Sequence, residues 1–173
     1  MEENMLTPFH YYGVSELIVD EEIHEEEGDF RYLELKEKVD KIIDKIEFYG
    51  CDDGEVRGLI FCSRNDEADL LSSEFNERGY RTLALSGKNS EEDRKDAIER
   101  LESSNSEEKL DYIFSVDIFN EGIDIPSLNQ IVMIRPTDSA IIFVQQLGRG
   151  LRKLENKQYL TVIDFIGNYK NNY

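Results

Sequence analysis

Residues 145–152 (QQLGRGLR) combine amide and cationic side chains with glycine at a spacing that could support phosphate chemistry. Gln145, Arg149 and Arg152 stand at positions i, i+4 and i+7, so on a helix they share one face. A guanidinium is planar and always charged, and it can bind a phosphate through two hydrogen bonds. The two glycines of the segment each destabilise a helix interior by roughly 1 kcal/mol relative to alanine. This combination indicates a functional site; a basic helix end that complements the helix dipole is the alternative.

The charge of the chain limits how it could bind a polyanion. The net charge is −18, from 38 acidic and 20 basic residues, which argues against nucleic-acid binding through bulk electrostatics. Residues 1–30 contain ten Asp or Glu and no Lys or Arg, whereas residues 144–173 contain five basic and two acidic residues. A phosphate-binding surface should therefore be local and built from a few placed groups.

Length and composition predict a soluble globular protein, most simply with one domain. The chain has 173 residues, of which 39% are hydrophobic and 34% charged. No apolar run approaches the roughly 20 residues of a membrane span, and the acidic amino terminus lacks the positive start of a signal peptide. His10 and His24 are isolated, and Cys51 and Cys62 have no metal-ligand spacing. We expect a cytoplasmic protein without a membrane segment or metal site, in which Cys62 is a buried thiol.

The amino-terminal part of the chain divides near residue 30. Residues 1–30 are interpreted as an acidic linker arm, in which residues 6–14 fit a short strand and residues 20–27 form a solvated acidic run. Apolar residues then recur at helical spacing over residues 33–49. Gly50 follows as the expected C-cap of that helix.

Beyond Gly50, short apolar runs alternate with helical segments. The predicted strands are residues 59–62, 81–85, 112–116, 130–134 and 159–164, and the predicted helices are residues 66–77 (ending before Gly79), 90–101 (with Ser90 as N-cap) and 140–147. This pattern indicates a parallel sheet with helices on both faces. In such sheets the site lies at the carboxyl ends of the strands. The candidates by position are Ser63, Arg64, Ser86, Gly87, Asp117 and Arg135.

Two segments imitate nucleotide-binding motifs. Residues 66–69 spell Asp-Glu-Ala-Asp, the letters of the DEAD-box signature, but residues 63–65 separate them from the strand. We interpret them as the first turn of a helix, where carboxylates complement the dipole. Residues 87–89 (GKN) fall short of the loop Gly-x-x-x-x-Gly-Lys-[Ser/Thr], because Thr82 replaces the first glycine and Asn89 the hydroxyl. The chain is therefore not expected to hold ATP by itself.

Four segments, in order and with their loop spacing kept, resemble the motifs of superfamily 2 helicases. They are residues 59–64 (motif IV), residues 85–87 with Arg94 (motif IVa), residues 114–126 (motif V) and residues 145–152 (motif VI, Gln-x-x-Gly-Arg-x-x-Arg). Residues 133–137 and 160–168 further resemble the DEAD/DEAH-like branch that includes type III restriction subunits and bacterial DNA helicases. The resemblance covers roughly residues 30–168.

This resemblance implies a fold and a function. Residues 31–173 would form the second, C-terminal RecA-like domain, a three-layer sandwich with a mainly parallel central sheet, and residues 1–30 would link it to a first domain. The implied function is that of an ATP-dependent helicase or translocase acting on nucleic acid, with DNA favoured over RNA but the choice between them left open. The first RecA-like domain of the same polypeptide would hold most of the ATP and Mg²⁺, and the isolated chain would be inactive as an ATPase.

The resemblance also implies roles for single residues. Arg152, with Arg149 beside it, would act as an arginine finger on the γ-phosphate of ATP held by the partner domain, and Gln145 would orient them. The implied residues of the ATP cleft are Gly122, Asp124 and Gly148. Turn chemistry before Pro126 is the alternative role for Asp124.

Nucleic acid would be held through its phosphates by backbone N–H groups and hydroxyls at the strand ends. The implied residues are Ser63, Arg64, Ser86, Gly87 and Ser115. Such mostly neutral donors reconcile an acidic chain with a polyanionic ligand. Val116 occupies a position where many relatives have threonine, and Ser115 could substitute for it. Strand-end capping is the alternative role for Ser63 and Ser86.

Other functions remain open at this point. The motifs could survive as the scaffold of a non-catalytic RecA-like interaction module, or the chain could be the translocase part of a type III restriction enzyme. A dinucleotide-dependent enzyme fits the sheet pattern, but no Gly-x-Gly-x-x-Gly follows a first strand.

Overall fold

Short apolar runs and amphipathic segments form the strands and helices of an open sheet. The computed structural model describes residues 9–14, 28–116, 125, 127–134 and 159–165. The strands are β1 (Phe9–Gly13), β2 (Gly58–Phe61), β3 (Thr82–Ala84), β4 (Tyr112–Ser115), β5 (Gln130–Met133) and β6 (Leu160–Asp164), and the helices are α1 (Gly28–Tyr49), α2 (Asn65–Glu77) and α3 (Glu91–Glu102). Within these residues the strands lie in the order β1-β6-β5-β2-β4-β3, and every pairing is parallel.

Helices cover both faces of the sheet. Helices α1 and α2 pack on one face, where Val39 and Phe75 are buried together with Ile60 of β2. Helix α3 packs on the other face through Ala97 and Leu101. The chain crosses the sheet in one direction through α1 and α2 and returns through α3, so right-handed connections place α3 on the opposite face. The predicted parallel sheet with helices on both faces is confirmed.

The elements follow the predicted boundaries closely. After Gly50, the described strands and helices begin and end within one residue of the predicted positions. Helix α1 begins at Gly28 rather than residue 33, because periodicity marks where an apolar face begins, whereas backbone hydrogen bonding can extend beyond it. The strand expected within residues 6–14 is β1, which pairs with β6 and so belongs to the sheet. The helix predicted at residues 140–147 lies outside the described residues, and the domain division near residue 30 remains a prediction.

The predicted helix ends are confirmed by their backbone geometry. Gly50 and Gly79, which follow α1 and α2, have φ angles of 66° and 92°, a region that glycine enters without the strain of a Cβ. At the start of α3, Oγ of Ser90 accepts a hydrogen bond from the Asp93 N–H (3.0 Å). Oδ2 of Asp93 accepts one from the Ser90 N–H in return (3.2 Å). This reciprocal capping box stops α3 from unwinding at its amino end.

Buried polar side chains join the amino end of the sheet to the end of α1. The hydroxyl of Tyr112 donates to Oε1 of Gln130 (2.5 Å), and Nε2 of Gln130 donates to the carbonyl of Gly50 (2.8 Å). Tyr112 and Gln130 are both buried, so these bonds satisfy groups that would otherwise destabilise the core. Gly58, the first residue of β2, pairs with both of them.

Replacing Gly58 with alanine should lower the free energy of unfolding by about 1–3 kcal/mol. The added Cβ would lie 2.5 Å from Cε1 of Tyr112 and 3.3 Å from the carbonyl oxygen of Gln130. Gly87→Ala is the matched control, because a Cβ there meets no atom within 4 Å, and it should change stability by less than about 0.5 kcal/mol. Urea unfolding followed by circular dichroism measures both variants. Equal stabilities would contradict the close packing at Gly58.

Candidate nucleic-acid interface

The carboxyl ends of the strands lie along one side of the sheet, here named the carboxyl edge. The N–H of Cys62 donates to the carbonyl of Ser115 (2.8 Å), and the N–H of Leu85 donates to that of Phe114 (2.8 Å), so the backbone ladder continues one residue past β2 and β3. The end of β4 lies between those of β2 and β3. Neighbouring strands are about 4.8 Å apart, so the turns after β2 and β3 are separated by roughly 10 Å. The turns after β2 and β3, with the end of β4 between them, thus form one row.

The turn after β2 presents two exposed side chains, those of Ser63 and Arg64. The N–H of Ser63 donates to Oε1 of Glu67 in the first turn of α2 (3.0 Å). Oε2 of Glu67 accepts a hydrogen bond from Nζ of Lys38 in α1 (3.0 Å). Nε of Arg64 lies 3.3 Å from Oδ1 of Asp66, and both of those side chains are largely exposed, so the pair holds the guanidinium only weakly. The Ser63 hydroxyl and the Arg64 guanidinium are therefore the accessible donors of this turn.

The turn after β3 is built in a similar way but with a neutral acceptor. The N–H of Ser86 donates to Oδ1 of Asn89 (2.8 Å), and Oγ of Ser86 accepts from the N–H of Lys88 (3.2 Å). The capping role considered for Ser86 is thus present. Because a hydroxyl can accept and donate at once, this contact leaves the Ser86 O–H able to donate to a phosphate. Gly87 and Lys88 are exposed beside it.

Ser115 differs from the other candidates in its burial. It is the last residue of β4, its exposed fraction is 0%, and its hydroxyl has no hydrogen-bond partner among the described residues. Ser115 lies between the turns after β2 and β3, so it belongs to the same row along the carboxyl edge. A phosphate contact from its hydroxyl requires a local opening, so the nucleic-acid role of Ser115 remains a prediction.

The two segments that imitate nucleotide motifs lie at the amino ends of helices, residues 66–69 in the first turn of α2 and residues 87–89 directly before the N-cap of α3. In residues 66–69, Oδ1 of Asp66 accepts from the N–H of Glu67 (2.9 Å), while the Glu67 carboxylate binds Ser63 and Lys38. In residues 87–89, the Asn89 side chain accepts the Ser86 N–H described above. Within the described ranges, no group of three or more His, Cys, Asp or Glu side chains is arranged to hold a metal ion.

The thiol of Cys62 is a structural group directly before the first turn. Its exposed fraction is 0%, and burial, followed by the nearby charge of Glu67, raises its pKa far above the usual range, while Lys38 opposes the shift. A neutral, buried thiol is what the apolar run around it predicted, and this is confirmed. None of the helices described here has the length and apolar character needed to cross a membrane.

Several predicted site residues lie outside the described residues. They are Gln145, Gly148, Arg149 and Arg152 of the basic segment, Gly122 and Asp124 of the implied cleft, and the strand exits Asp117 and Arg135. Conversely, sequence reasoning gave no site role to Glu67 or Lys38. A local signal existed for Glu67, an acidic residue in the first turn of a helix four residues after Ser63. No local signal exists for Lys38, which is 29 residues from Glu67 in the chain.

Comparison with known families identifies the class of this protein. A family model described as "Helicase conserved C-terminal domain" matches residues 37–153, more than half of the chain. The matched region contains the turns after β2 and β3, the end of β4 and the segment 145–152. The chain belongs to this family: it is a helicase C-terminal domain, as the resemblance implied.

Individual relatives agree with this assignment. The chain is 29% identical over 109 residues to "Putative ATP-dependent helicase IRC3" of Saccharomyces cerevisiae, covering 63% of this chain and 15% of that protein. It is 27% identical over 129 residues to "Putative ATP-dependent RNA helicase MJ1505" of Methanocaldococcus jannaschii, covering 72% of this chain and 16% of that protein. The chain therefore spans only a small part of the length of these relatives.

The fold is similar to that of solved structures. The crystal structure of the E. coli DEAD-box protein SrmB bound to regulator of ribonuclease activity A superposes with a TM-score of 0.56 at 18% identity, covering 95% of this chain and 86% of that chain. At this identity the likeness concerns the fold, and it confirms the RecA-like architecture.

Replacing Ser115 with alanine should leave the free energy of unfolding unchanged or raise it by up to about 1 kcal/mol, because a buried hydroxyl without a partner is removed. Thr82→Val is the matched control. Its buried hydroxyl contacts Oγ of Ser72 (2.6 Å) and Oδ1 of Asn76 (3.0 Å), so this variant should lose about 1–3 kcal/mol. Denaturant unfolding of both variants measures the difference. A loss at Ser115 as large as that at Thr82 would mean that the Ser115 hydroxyl has a partner.

Proposed function

We propose that this chain is the C-terminal RecA-like half of an ATP-dependent helicase or translocase that acts on nucleic acid. The observation that carries the proposal is the family match over residues 37–153, which includes both the row of turns at the carboxyl edge and the basic segment 145–152. A first RecA-like domain of the same polypeptide is the proposed partner. ATP and Mg²⁺ would be bound mainly by that domain.

The proposed contribution of this chain to hydrolysis is charge neutralisation. Bound Mg-ATP supplies the phosphoryl group that is transferred to water. Arg152, with Arg149 beside it, would stabilise the negative charge on that group, and Gln145 would orient the two guanidinium groups. Gly122, Asp124 and Gly148 are the proposed residues of this chain in the ATP cleft.

The described turns support a division of labour between the two domains. The N–H groups of Ser86 and Lys88, at the segment nearest in sequence to a phosphate-binding loop, already bind the side chains of Asn89 and Ser86. Such a turn does not offer the ring of free N–H groups that cradles nucleotide phosphates. The contribution of this chain to ATP hydrolysis is therefore assigned to the arginines of residues 145–152 and not to the turn after β3.

The row of turns is the proposed binding surface for nucleic acid. The residues assigned to it are Ser63, Arg64, Ser86, Gly87 and Ser115. Hydroxyl donors and one weakly paired guanidinium can contact phosphates without a large positive field, which suits a chain of net charge −18. The motif resemblance favours DNA, whereas several relatives are named RNA helicases. Binding assays with matched DNA and RNA oligonucleotides decide between them.

The purified 173-residue chain should hydrolyse no ATP above the background of a buffer control. The proposed active site needs groups from two domains, and catalysis by positioning is lost when half of them are absent. Phosphate release, measured with and without added oligonucleotide, checks this. Turnover that co-purifies with the chain and is abolished by Arg152→Ala would contradict the split site.

In a protein that contains both RecA-like domains, Arg152→Ala should lower ATP turnover by a factor on the order of 10³–10⁵. ATP binding should change little, because the nucleotide is held mainly by the other domain. Lys153→Ala removes the same charge from the neighbouring position and should retain turnover. Steady-state phosphate release and fluorescent-nucleotide binding measure the two effects. Normal turnover in Arg152→Ala would reject the finger and favour a non-catalytic module.

A further inference from the structure

The turns after β2 and β3 each bind a serine N–H through a side-chain acceptor, but the two acceptors differ in charge. In each, a side chain in the first turn of the next helix or just before that helix accepts the N–H of the serine that follows the strand. At Ser86 this acceptor is the neutral amide of Asn89 (2.8 Å), whereas at Ser63 it is the carboxylate of Glu67 (3.0 Å). A carboxylate beside a phosphate-binding turn repels the ligand, because like charges a few ångströms apart near a protein surface repel each other. The turn after β2 therefore needs something to offset that charge.

Lys38 supplies the opposite charge from helix α1. Its Nζ lies 3.0 Å from Oε2 of Glu67, while Oε1 of the same carboxylate accepts the N–H of Ser63. The side chains of Lys38 and Glu67 are only 23% and 18% exposed, so the pair is less screened by solvent than a surface ion pair. The pKa of Cys62, next to Ser63, responds to both charges in opposite directions, which agrees with their position beside the turn.

We propose that Glu67 and Lys38 are positioning residues of the nucleic-acid interface: Glu67 holds the turn that carries Ser63 and Arg64, and Lys38 cancels the charge of Glu67 so that a phosphate can bind there. The inference rests on the proposed function, because it assigns a phosphate to this turn. The proposal also gives a role to Glu67, the second residue of the Asp-Glu-Ala-Asp segment. Glu67 acts on the ligand indirectly, by holding the turn that contacts it.

Arg64 contributes a guanidinium that is held loosely enough to exchange its present partner for a phosphate. Its pair with Asp66 is highly exposed on both sides, with 73% and 68% of the side chains accessible, and such pairs contribute little. The guanidinium can therefore exchange Asp66 for a phosphate. The less exposed pair of Lys38 and Glu67 stays in place during that exchange.

The role of Lys38 in cancelling the charge of Glu67 is tested by measuring oligonucleotide binding to the intact protein that carries this chain. Lys38→Met leaves Glu67 uncompensated and should raise the Kd for labelled oligo(dT) or oligo(U) roughly five- to tenfold at low ionic strength, with the effect shrinking as salt is added. Lys36→Met is the matched control: it removes the same charge from the same helix, but the partner of Lys36, Glu74, keeps Arg78. It should change the Kd less than about twofold.

A second substitution separates charge from structure. Lys38→Met combined with Glu67→Gln restores neutrality and keeps a side-chain oxygen that can accept the Ser63 N–H, so it should recover most of the lost affinity. If Lys38→Met folds poorly, Lys38→Gln removes the charge and keeps a hydrogen-bond donor. An unchanged Kd in the single variant, an equal loss in Lys36→Met, or no recovery in the double variant would each overturn the electrostatic role.

The positioning part is tested without nucleic acid, by hydrogen exchange of single amides followed by NMR on the 173-residue chain. Glu67→Ala should speed exchange of the Ser63 amide at least about tenfold, because its acceptor is removed, while the Ser86 amide, bound to Asn89, serves as the internal control. Lys38→Met should leave Ser63 exchange nearly unchanged. Slow exchange of Ser63 in Glu67→Ala would overturn the positioning role. Failure of the unsubstituted protein to bind either oligonucleotide would instead overturn the proposed function and, with it, the charge-cancelling role.

Discussion

The parallel hydrogen-bond ladder is the constraint on which the candidate interface depends. Buried backbone groups in a sheet covered on both faces must find partners within it, and β2 finds them on both sides, in β4 and β5. The ladder continues past the strands through the N–H groups of Cys62 and Ile134, at 2.8 Å and 2.9 Å. The described ends of these strands therefore lie at one level, and the turns after β2 and β3 form a row with the end of β4 between them.

Side-chain capping then decides which donors the row can offer. The N–H groups of Ser63 and Ser86 are bound to Glu67 and Asn89, so these two N–H groups are occupied. What remains for a ligand are the hydroxyls, the exposed backbone of Gly87, the exposed ammonium group of Lys88 and the weakly paired guanidinium of Arg64. An interface of this kind depends on short-range hydrogen bonds more than on a broad positive field, and it is compatible with a net charge of −18. In such an interface, a single carboxylate whose charge is not compensated is expected to weaken the binding of phosphate.

Much of the fold was predictable because strands and helices are encoded locally. The apolar runs of β2 and β4, the glycines that end α1 and α2, and the Ser90 cap are each readable from a few neighbouring residues. The burial of the individual candidate site residues, in contrast, could not be predicted from the sequence. Ser63 and Ser115 are the same residue type near the end of a strand, yet Ser63 is exposed in the turn and Ser115 is fully buried. Side-chain alternation places Ser115 on the face of the sheet that also buries Ile113, and only the packed structure decides how deep that face is.

The sequence by itself determined the alternating elements, the order of the motif-like segments and, through them, the membership of the helicase C-terminal family. It also determined that residues 66–69 begin a helix. Only the tertiary structure decided that the carboxylate of Glu67 meets both Ser63 and Lys38. Periodicity and capping signals report contacts within a few residues of each other, whereas Lys38 and Glu67 meet because α1 and α2 pack side by side on one face of a parallel sheet.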